Sequence, residues 1–509
     1  MANEPSLQEV LDDRSFFGHP RGLSTLFLTE MWERFSYYGI RPLLVLFMSA
    51  ALAEGGFGFP RAQASAIVGI YAASVYLASL PGGWVADRIL GLRRAVLCGA
   101  ILITAGHLSI GVSSFAHSKV PFFLGLILIV MGTGLLKPNI SATVGELYPE
   151  GGARRDAGFS VFYMGINTGA FLGQIITGLL GERVGWGLGF GVAGVGMFLG
   201  LVTFWLRAPK TLGSIGTEIN SGVEERGRAK MYLGIGLGLF ALVVIAGIMG
   251  MIPLDAQVIA KNMTVVLVSI AVFYFGYLFV AGGLTGNEKK RVAVIMALFV
   301  FAAIFWAAFE QAPTSLNLFA RDFTDRNLGG WQMPATWFQS INSLFIIIMA
   351  PVFGAIWLSM GKSGKQLSSP TKFALGLLLA AVGFGLMLPA ANAVVSSGGA
   401  LKVAPWWLVA SYFFQTCGEL CVSPVGLSSM TKLSPRKYVG QMMGIWFLAS
   451  SVGNVIAGLV GGNVDPNKLD QMPKVFSYTS LALLASAVIL AVLAIPIKRM
   501  MAEVPSNEQ

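Results

Sequence analysis

Charge is scarce in this sequence of 509 residues: Asp, Glu, Lys and Arg together make up 12%, while hydrophobic residues make up 55%. An ordinary soluble domain carries about 25% charged residues, so this composition indicates a polytopic membrane protein. Histidine and cysteine are equally sparse, three of each. Cys98, Cys417 and Cys421 all fall in apolar stretches, where they read as small packing residues and imply neither a disulfide framework nor a metal site. A membrane-embedded enzyme would need a nucleophile with its base or a set of metal ligands, and these residues supply neither. No sizeable polar domain offers a sensor or scaffold role. The net charge of +10 is spread over short loops without interleaved aromatics, which suits anionic headgroups and not nucleic acid. The first twenty residues carry Glu4, Glu9, Asp12 and Asp13 and lack an apolar core, so no cleavable leader is expected.

What the chain has in abundance is apolar stretches of membrane-crossing length. Fourteen are counted, from 23–53 to 475–497. Most of the 35 Lys and Arg cluster in alternate loops, among them Arg88, Arg93, Arg94, Arg154, Arg155, Arg226, Lys289, Lys362, Lys365, Lys432, Arg436 and the terminal Lys498 and Arg499. The positive-inside rule then places both termini in the cytoplasm. The stretches 231–252 and 263–284 have no ionisable residue in their middles and follow the longest inner loop. Setting them aside leaves six spans before and six after. The expected organisation is an all-α membrane protein with an N-terminal six-helix bundle over 1–208, an inner loop with two extra helices over 209–290, and a C-terminal six-helix bundle over 291–509, with a site near the midplane.

The first span is unusual for lipid. Glu30, Glu33, Arg34, Tyr37, Tyr38 and Arg41 fall within about ±80° of one face at roughly 100° per residue. The stripe is about 16 Å long at 1.5 Å per residue, too long for an interfacial fringe, and ionisable groups at that depth mark a functional site by default. A purely structural ion-pair cluster is the competing explanation. Lys137 lies deep in the fourth span, followed by Pro138, where a locally irregular helix would be tolerated. Trp306 and Glu310 are four residues apart, as are Glu419 and Ser423, so each pair shares a helix side. Tyr76, Asn167, Asn342, Asn454 and Trp446 add phenol, amide and indole groups to apolar spans. In-span cations thus belong to the first half, whereas the second half contributes only acids. A zwitterion such as a short peptide fits basic groups on one wall and an acid on the other, with aromatic pockets for varied side chains. A nitrate carrier or a drug exporter leaves one of these two charge sets without a role.

Two motifs carry family resemblance. Gly83, Asp87, Arg88, Gly91, Arg93 and Arg94 form G-x-x-x-D-R-x-x-G-x-R-R, which resembles the cytoplasmic signature of the major facilitator superfamily. Glu30 to Gly39, read as E-x-x-E-R-F-x-Y-Y-G, strongly resembles the first-helix motif of the proton-dependent oligopeptide transporters. Phe159 to Asn167, Phe305 to Gln311 and Gly418 to Pro424 are similar to that family's fifth-, seventh- and tenth-helix motifs. The resemblance covers nearly the whole chain and extends to the two extra central helices of bacterial members. It implies proton-coupled uptake of di- and tripeptides by alternating access at a bacterial cytoplasmic membrane, by a monomer without cofactor or metal, with the proton as coupling ion. By the same resemblance Glu30, Glu33 and Arg34 couple the proton, with Glu310. Arg34, Arg41, Lys137 and Asn167 hold the peptide carboxylate, and Glu419 takes its amino terminus. Tyr37, Tyr38, Tyr76, Trp306 and Trp446 line side-chain pockets, and Asn342 and Ser423 complete the substrate set. Arg41 with Glu310, and Arg61 with Asp322, are the expected gating pairs. Animal members carry a histidine within the second helix, and His19, His107 and His117 lie elsewhere, so carboxylates are expected to carry the proton here.

Overall fold

The computed structural model describes residues 5–116, 118–219, 221–363 and 367–502. Glu4, His117 and Lys365 lie outside this set, as do the side chains of Arg436, Lys498 and Arg499. In chain order the helices are α1 (Leu7–Asp12), α2 (Arg21–Ser49), α3 (Arg61–Val85), α4 (Leu92–Ala116), α5 (Lys119–Glu146), α6 (Gly152–Arg183), α7 (Trp186–Thr211), α8 (Val223–Ile248), α9 (Ala256–Ala281), α10 (Gly286–Phe309), α11 (Asn317–Phe323), α12 (Trp337–Lys362), α13 (Ser369–Ser396), α14 (Trp406–Leu433), α15 (Val439–Gly461) and α16 (Gln471–Ala502). All but α1 and α11 are long enough to cross a bilayer, which gives fourteen long helices among the described residues. By length and apolarity together 12 spans qualify. The two that fall short are α2 and α14, the helices carrying Glu30, Glu33, Arg34 and Arg41, and Glu419. A short antiparallel pair, β1 (Asn327–Leu328) and β2 (Trp331–Gln332), turns through Gly329 and Gly330 at positive φ.

Contacts divide the chain into two compact units. Unit 1 comprises Met1–Gly58 and Ser74–Asp255, and unit 2 comprises Phe59–Ala73 and Ala256–Gln509. The N-terminal half of α3 therefore groups with unit 2 and its C-terminal half with unit 1, while α8 belongs to unit 1 and α9 to unit 2.

In unit 1, α2 and α6 are held together by small residues at every fourth position of α6. A Cβ at Gly165 would come within 2.8 Å of Phe27, and one at Gly181 within 2.8 Å of Leu43. Between them Gly169 abuts the Met31 carbonyl and Gly173 the Phe35 carbonyl, and the Thr177 hydroxyl donates to the Gly39 carbonyl at 2.7 Å. Small side chains at this spacing let two backbones touch where lipid gives no hydrophobic drive to association. The consequence is a fixed rotation of α2.

Two prolines in the spans act differently on their helices. The stretch 292–320 is not one helix: α10 ends at Phe309, a π-turn covers Ala312–Leu316, and α11 follows. Pro313 lacks the N–H that the preceding turn needs, and the Gln311 side chain bridges the break by donating to the Ala307 carbonyl and Thr479 Oγ1 while accepting from Ser315 Oγ. Conversely, α5 runs without interruption through Pro138. The Gly134 carbonyl that proline leaves without its helical donor lies against Gly82 of α3. Asn139 Nδ2 donates to the neighbouring carbonyls of Gly82 at 3.3 Å and Leu135 at 2.6 Å.

Candidate functional site

The charged stripe of α2 is buried: Glu30, Glu33 and Arg34 are 1%, 0% and 3% exposed. Arg34 Nε donates to Glu30 Oε1 at 2.8 Å and lies 2.9 Å from Glu33 Oε2. One N–H thus faces two carboxylates and donates to Glu30 Oε1, so neither acid has both oxygens hydrogen bonded among the described residues. Truncating Arg34 would leave two buried carboxylates without the guanidinium they share. The Arg34 guanidinium also lies 5.8 Å from the centre of the Tyr37 ring and 5.9 Å from that of Tyr38, and Arg41 lies 5.9 Å from Tyr37. Tyr37 is therefore a shared π surface for two cations.

Lys137 of α5 is half-buried and places Nζ 4.2 Å from the centre of the Tyr76 ring of α3. Asn167 is buried on α6, its Nδ2 donating to the Tyr163 carbonyl at 3.0 Å. Unit 1 therefore brings together Glu30, Glu33, Arg34, Tyr37, Tyr38 and Arg41 along α2, with Lys137 and Tyr76 paired beside them and Asn167 on the glycine-bearing helix.

In unit 2, Asn342 of α12 donates through Nδ2 to Glu419 Oε2 at 3.2 Å and to Thr416 Oγ1 at 2.9 Å. Both contacts draw the same amide toward α14 and orient the carboxylate. Ser423, one turn on, has a buried hydroxyl with no hydrogen-bond partner among the described residues. Trp446 is buried against Gly426 and lies 6.4 Å from Phe373, ring to ring. Trp306 packs edge-on against Phe305 and Phe309, and its buried Nε1 has no hydrogen-bond partner among the described residues. Glu310 is buried, but it caps α10 and is not within it. Trp306 and Glu310 are linked through the Glu310 N–H to the Trp306 carbonyl at 2.9 Å, the helical bond one turn back that keeps the two in register at the end of α10.

Arg61 and Asp322 both belong to unit 2 and form an ion pair at 2.5 Å, with the same Arg61 Nη1 donating to the Val464 carbonyl at 2.9 Å. Behind this pair the N-terminal half of α3 is seamed to α15. Ala62 meets Gly462, Gly69 meets Gly458 with a prospective Cβ–Cα gap of 2.8 Å, and Ser451 donates to the Ala73 carbonyl at 3.2 Å. Neither this seam nor the α6 series was singled out from sequence, although the four-residue spacing of Gly165, Gly169, Gly173, Thr177 and Gly181 is a readable signal.

Buried ion pairs and polar groups on a scaffold of apolar, membrane-length helices, with no cluster of metal-ligating residues among those described, define a solute transporter of the major facilitator type. The profile of the POT family matches residues 93–474. The chain is 49% identical over 494 residues, 96% of each sequence, to the peptide transporter YePEPT of Yersinia enterocolitica subsp. palearctica. It is 38% identical over 455 residues, 87% of this chain and 89% of the relative, to the di-/tripeptide transporter of Lactococcus lactis subsp. cremoris. Among solved structures, a peptide transporter POT in complex with sulfate is similar at a TM-score of 0.89 and 41% identity, over 97% of this chain and 99% of that one. The chain belongs to the POT family and is a membrane transporter, not an enzyme.

Proposed function

We propose that this protein imports di- and tripeptides together with protons across a bacterial cytoplasmic membrane, as a monomer with both termini in the cytoplasm, with no cofactor beyond the coupling proton. The observation that carries this reading is the single Arg34 N–H shared by two buried carboxylates. When Arg34 turns to a peptide carboxylate, Glu30 or Glu33 loses its counter-charge and gains affinity for a proton. Peptide and proton binding thereby become linked. Arg41, Lys137 and Asn167 join Arg34 on the carboxylate end. Glu419, oriented by Asn342, takes the ammonium end, with Ser423 beside it. Tyr37, Tyr38, Tyr76, Trp306 and Trp446 receive side chains, and Arg41 with Glu310 forms a second gating pair. The relatives named for peptide and di-/tripeptide transport support this substrate class.

The test is labelled dipeptide uptake into protein-containing liposomes with and without an inward proton gradient. Accumulation above equilibrium only with the gradient, competed by unlabelled di- and tripeptides but not by nitrate or cationic drugs, is the expected result. Uptake indifferent to the gradient, or competed by nitrate, overturns it.

A further inference from the structure

Within unit 1, the face of α2 opposite the charged stripe borders an apolar groove of about 200 Å³, walled by α6 and α7. Gly169 and Gly196 bring those two helices against the Met31 carbonyl and the Phe35 ring. The floor of the groove is Trp32 and the buried Phe35, and its rim is Leu172 and Ile176 of α6 with Val195 and Leu199 of α7, all four between 38% and 57% exposed. Almost no polar atom faces this space, so water has no partner in it. Hydrocarbon suits it.

One end of the groove leads to cations. At about 100° per residue, Val192, Val195, Gly196 and Leu199 share a face of α7 with Thr203, Arg207 and Lys210, all within about 60° of one direction. The same count puts Phe35, Trp32 and Met31 on a face of α2 with Leu28, Ser24 and Arg21. The two faces meet below the groove, where Arg207 Nη2 donates to Ser24 Oγ at 2.8 Å. Arg21 lies 3.8 Å from the Asp13 carboxylate. Arg207 is half-buried, Lys210 is exposed, and neither forms an ion pair among the described residues.

Spacing links the two features. Along α7 the groove lies from about 12 Å (Leu199) to about 22 Å (Val192) away from Arg207 at 1.5 Å per residue, which brackets the roughly 15 Å depth of one bilayer leaflet. Basic residues beside a span attract anionic headgroups. We propose that unit 1 holds one anionic phospholipid, its headgroup on Arg207 and Lys210 and one acyl chain in the groove over Trp32 and Phe35. A neutral lipid would fill the groove and leave both cations without a counter-charge, whereas a small free anion would meet the cations and leave the groove empty. Gly169, in the groove wall, would place a Cβ 3.1 Å from that of Arg34, so the bound chain braces the turn of α2 that carries Arg34. The inference goes beyond the proposed function and needs neither its substrate nor its coupling ion.

Photolabelling of the full-length protein tests it without substrate. Phosphatidylglycerol carrying a diazirine midway along one acyl chain is added in trace amount to the protein in phosphatidylcholine nanodiscs, and the labelled peptides are read by mass spectrometry after irradiation. The α2, α6 and α7 peptides that line the groove are expected to label severalfold more than α8, whose apolar surface is exposed along most of its length. Diazirine phosphatidylcholine should show no such preference. Val195→Trp, which fills the mouth of the groove, and Lys210→Glu, which reverses a headgroup charge, should each cut the groove labelling severalfold and leave that of α8 as in the parent. Groove labelling no higher than that of α8, equal labelling by the two lipids, or labelling unchanged in both variants overturns the site. Loss of peptide uptake alone speaks against the proposed function and not against the lipid.

Discussion

Arg61 pairs with Asp322 through the same Nη1 that donates to the Val464 carbonyl, so one guanidinium ties the start of α3 both to the end of α11 and to the loop after α15. The side chains are 13% and 17% exposed, which places the pair beyond a surface ion pair worth about 0 to 1 kcal/mol. Arg61→Asp is expected to slow proton-driven uptake severalfold and to raise the reactivity of a cysteine introduced at Ser65. The exchange Arg61→Asp with Asp322→Arg should restore both in part, since the Val464 contact stays lost. A double variant no better than the worse single would show that the pair does not act as a latch.

Glu30→Gln and Glu33→Gln each keep the size of the side chain but cannot cycle a proton. Each is expected to abolish gradient-driven accumulation while leaving peptide counterflow, which needs no net proton movement. Measured side by side in the same liposomes, retained accumulation in both single variants would remove these carboxylates from coupling.

Glu419 is oriented by the Asn342 amide. If it receives the peptide ammonium, N-acetylation of a dipeptide should weaken binding about tenfold or more in the parent, the scale of a charge-assisted contact of roughly 1.5 to 3 kcal/mol, and much less in Glu419→Gln. Competition binding in detergent measures both, and equal penalties would sink the assignment.

Gly169 abuts the Met31 carbonyl, and its Cβ would also lie 3.1 Å from that of Arg34. Gly169→Leu should push α2 off α6, misplace Arg34 and lower both thermal stability and peptide affinity, whereas Gly191→Leu, where nothing lies within 4 Å, should leave both near the parent. Thermal-shift measurements with and without dipeptide separate the two effects.

Outside the spans, His19 Nδ1 meets Tyr148 Oη at 2.9 Å. Burial holds the imidazole below its ordinary range, and Arg154 and Arg14 lower it further; burial pushes the Tyr148 phenol up to about 12. A depressed imidazole binds protons more weakly folded than unfolded, so the stability it lends is complete above about pH 6.5 and falls away as the pH drops below it. Melting temperatures across pH 5 to 8 should show this acid-side loss in the parent and a flatter profile in His19→Gln.

Twelve spans were legible because length and apolarity mark them, and the stripe on α2 because six residues obey a helical period over three turns. The roles of that stripe are a matter of chemistry that periodicity does not reach. The break at Glu310 escaped the sequence because apolar residues continue across it, and Pro313 signals an interruption without locating it. Pro138, where an irregular helix would only be tolerated, leaves α5 continuous, and its vacated carbonyl lies against Gly82, a residue more than fifty positions away. That the halves of α3 keep different company is a long-range fact, carried by glycines on α15 that read as ordinary membrane packing.

That division makes α3 a lever. From the seam near Gly69 to the π-turn at Leu90 the helix and its extension run about 30 Å at 1.5 Å per residue. Each degree of tilt at the seam thus displaces the far end by about half an ångström, and ten degrees by about one helical turn. A Cβ added at Gly69 would meet the Asn454 carbonyl at 2.7 Å and the Gly458 Cα at 2.8 Å, so the seam is the point at which a single methyl group would force the helix to tilt.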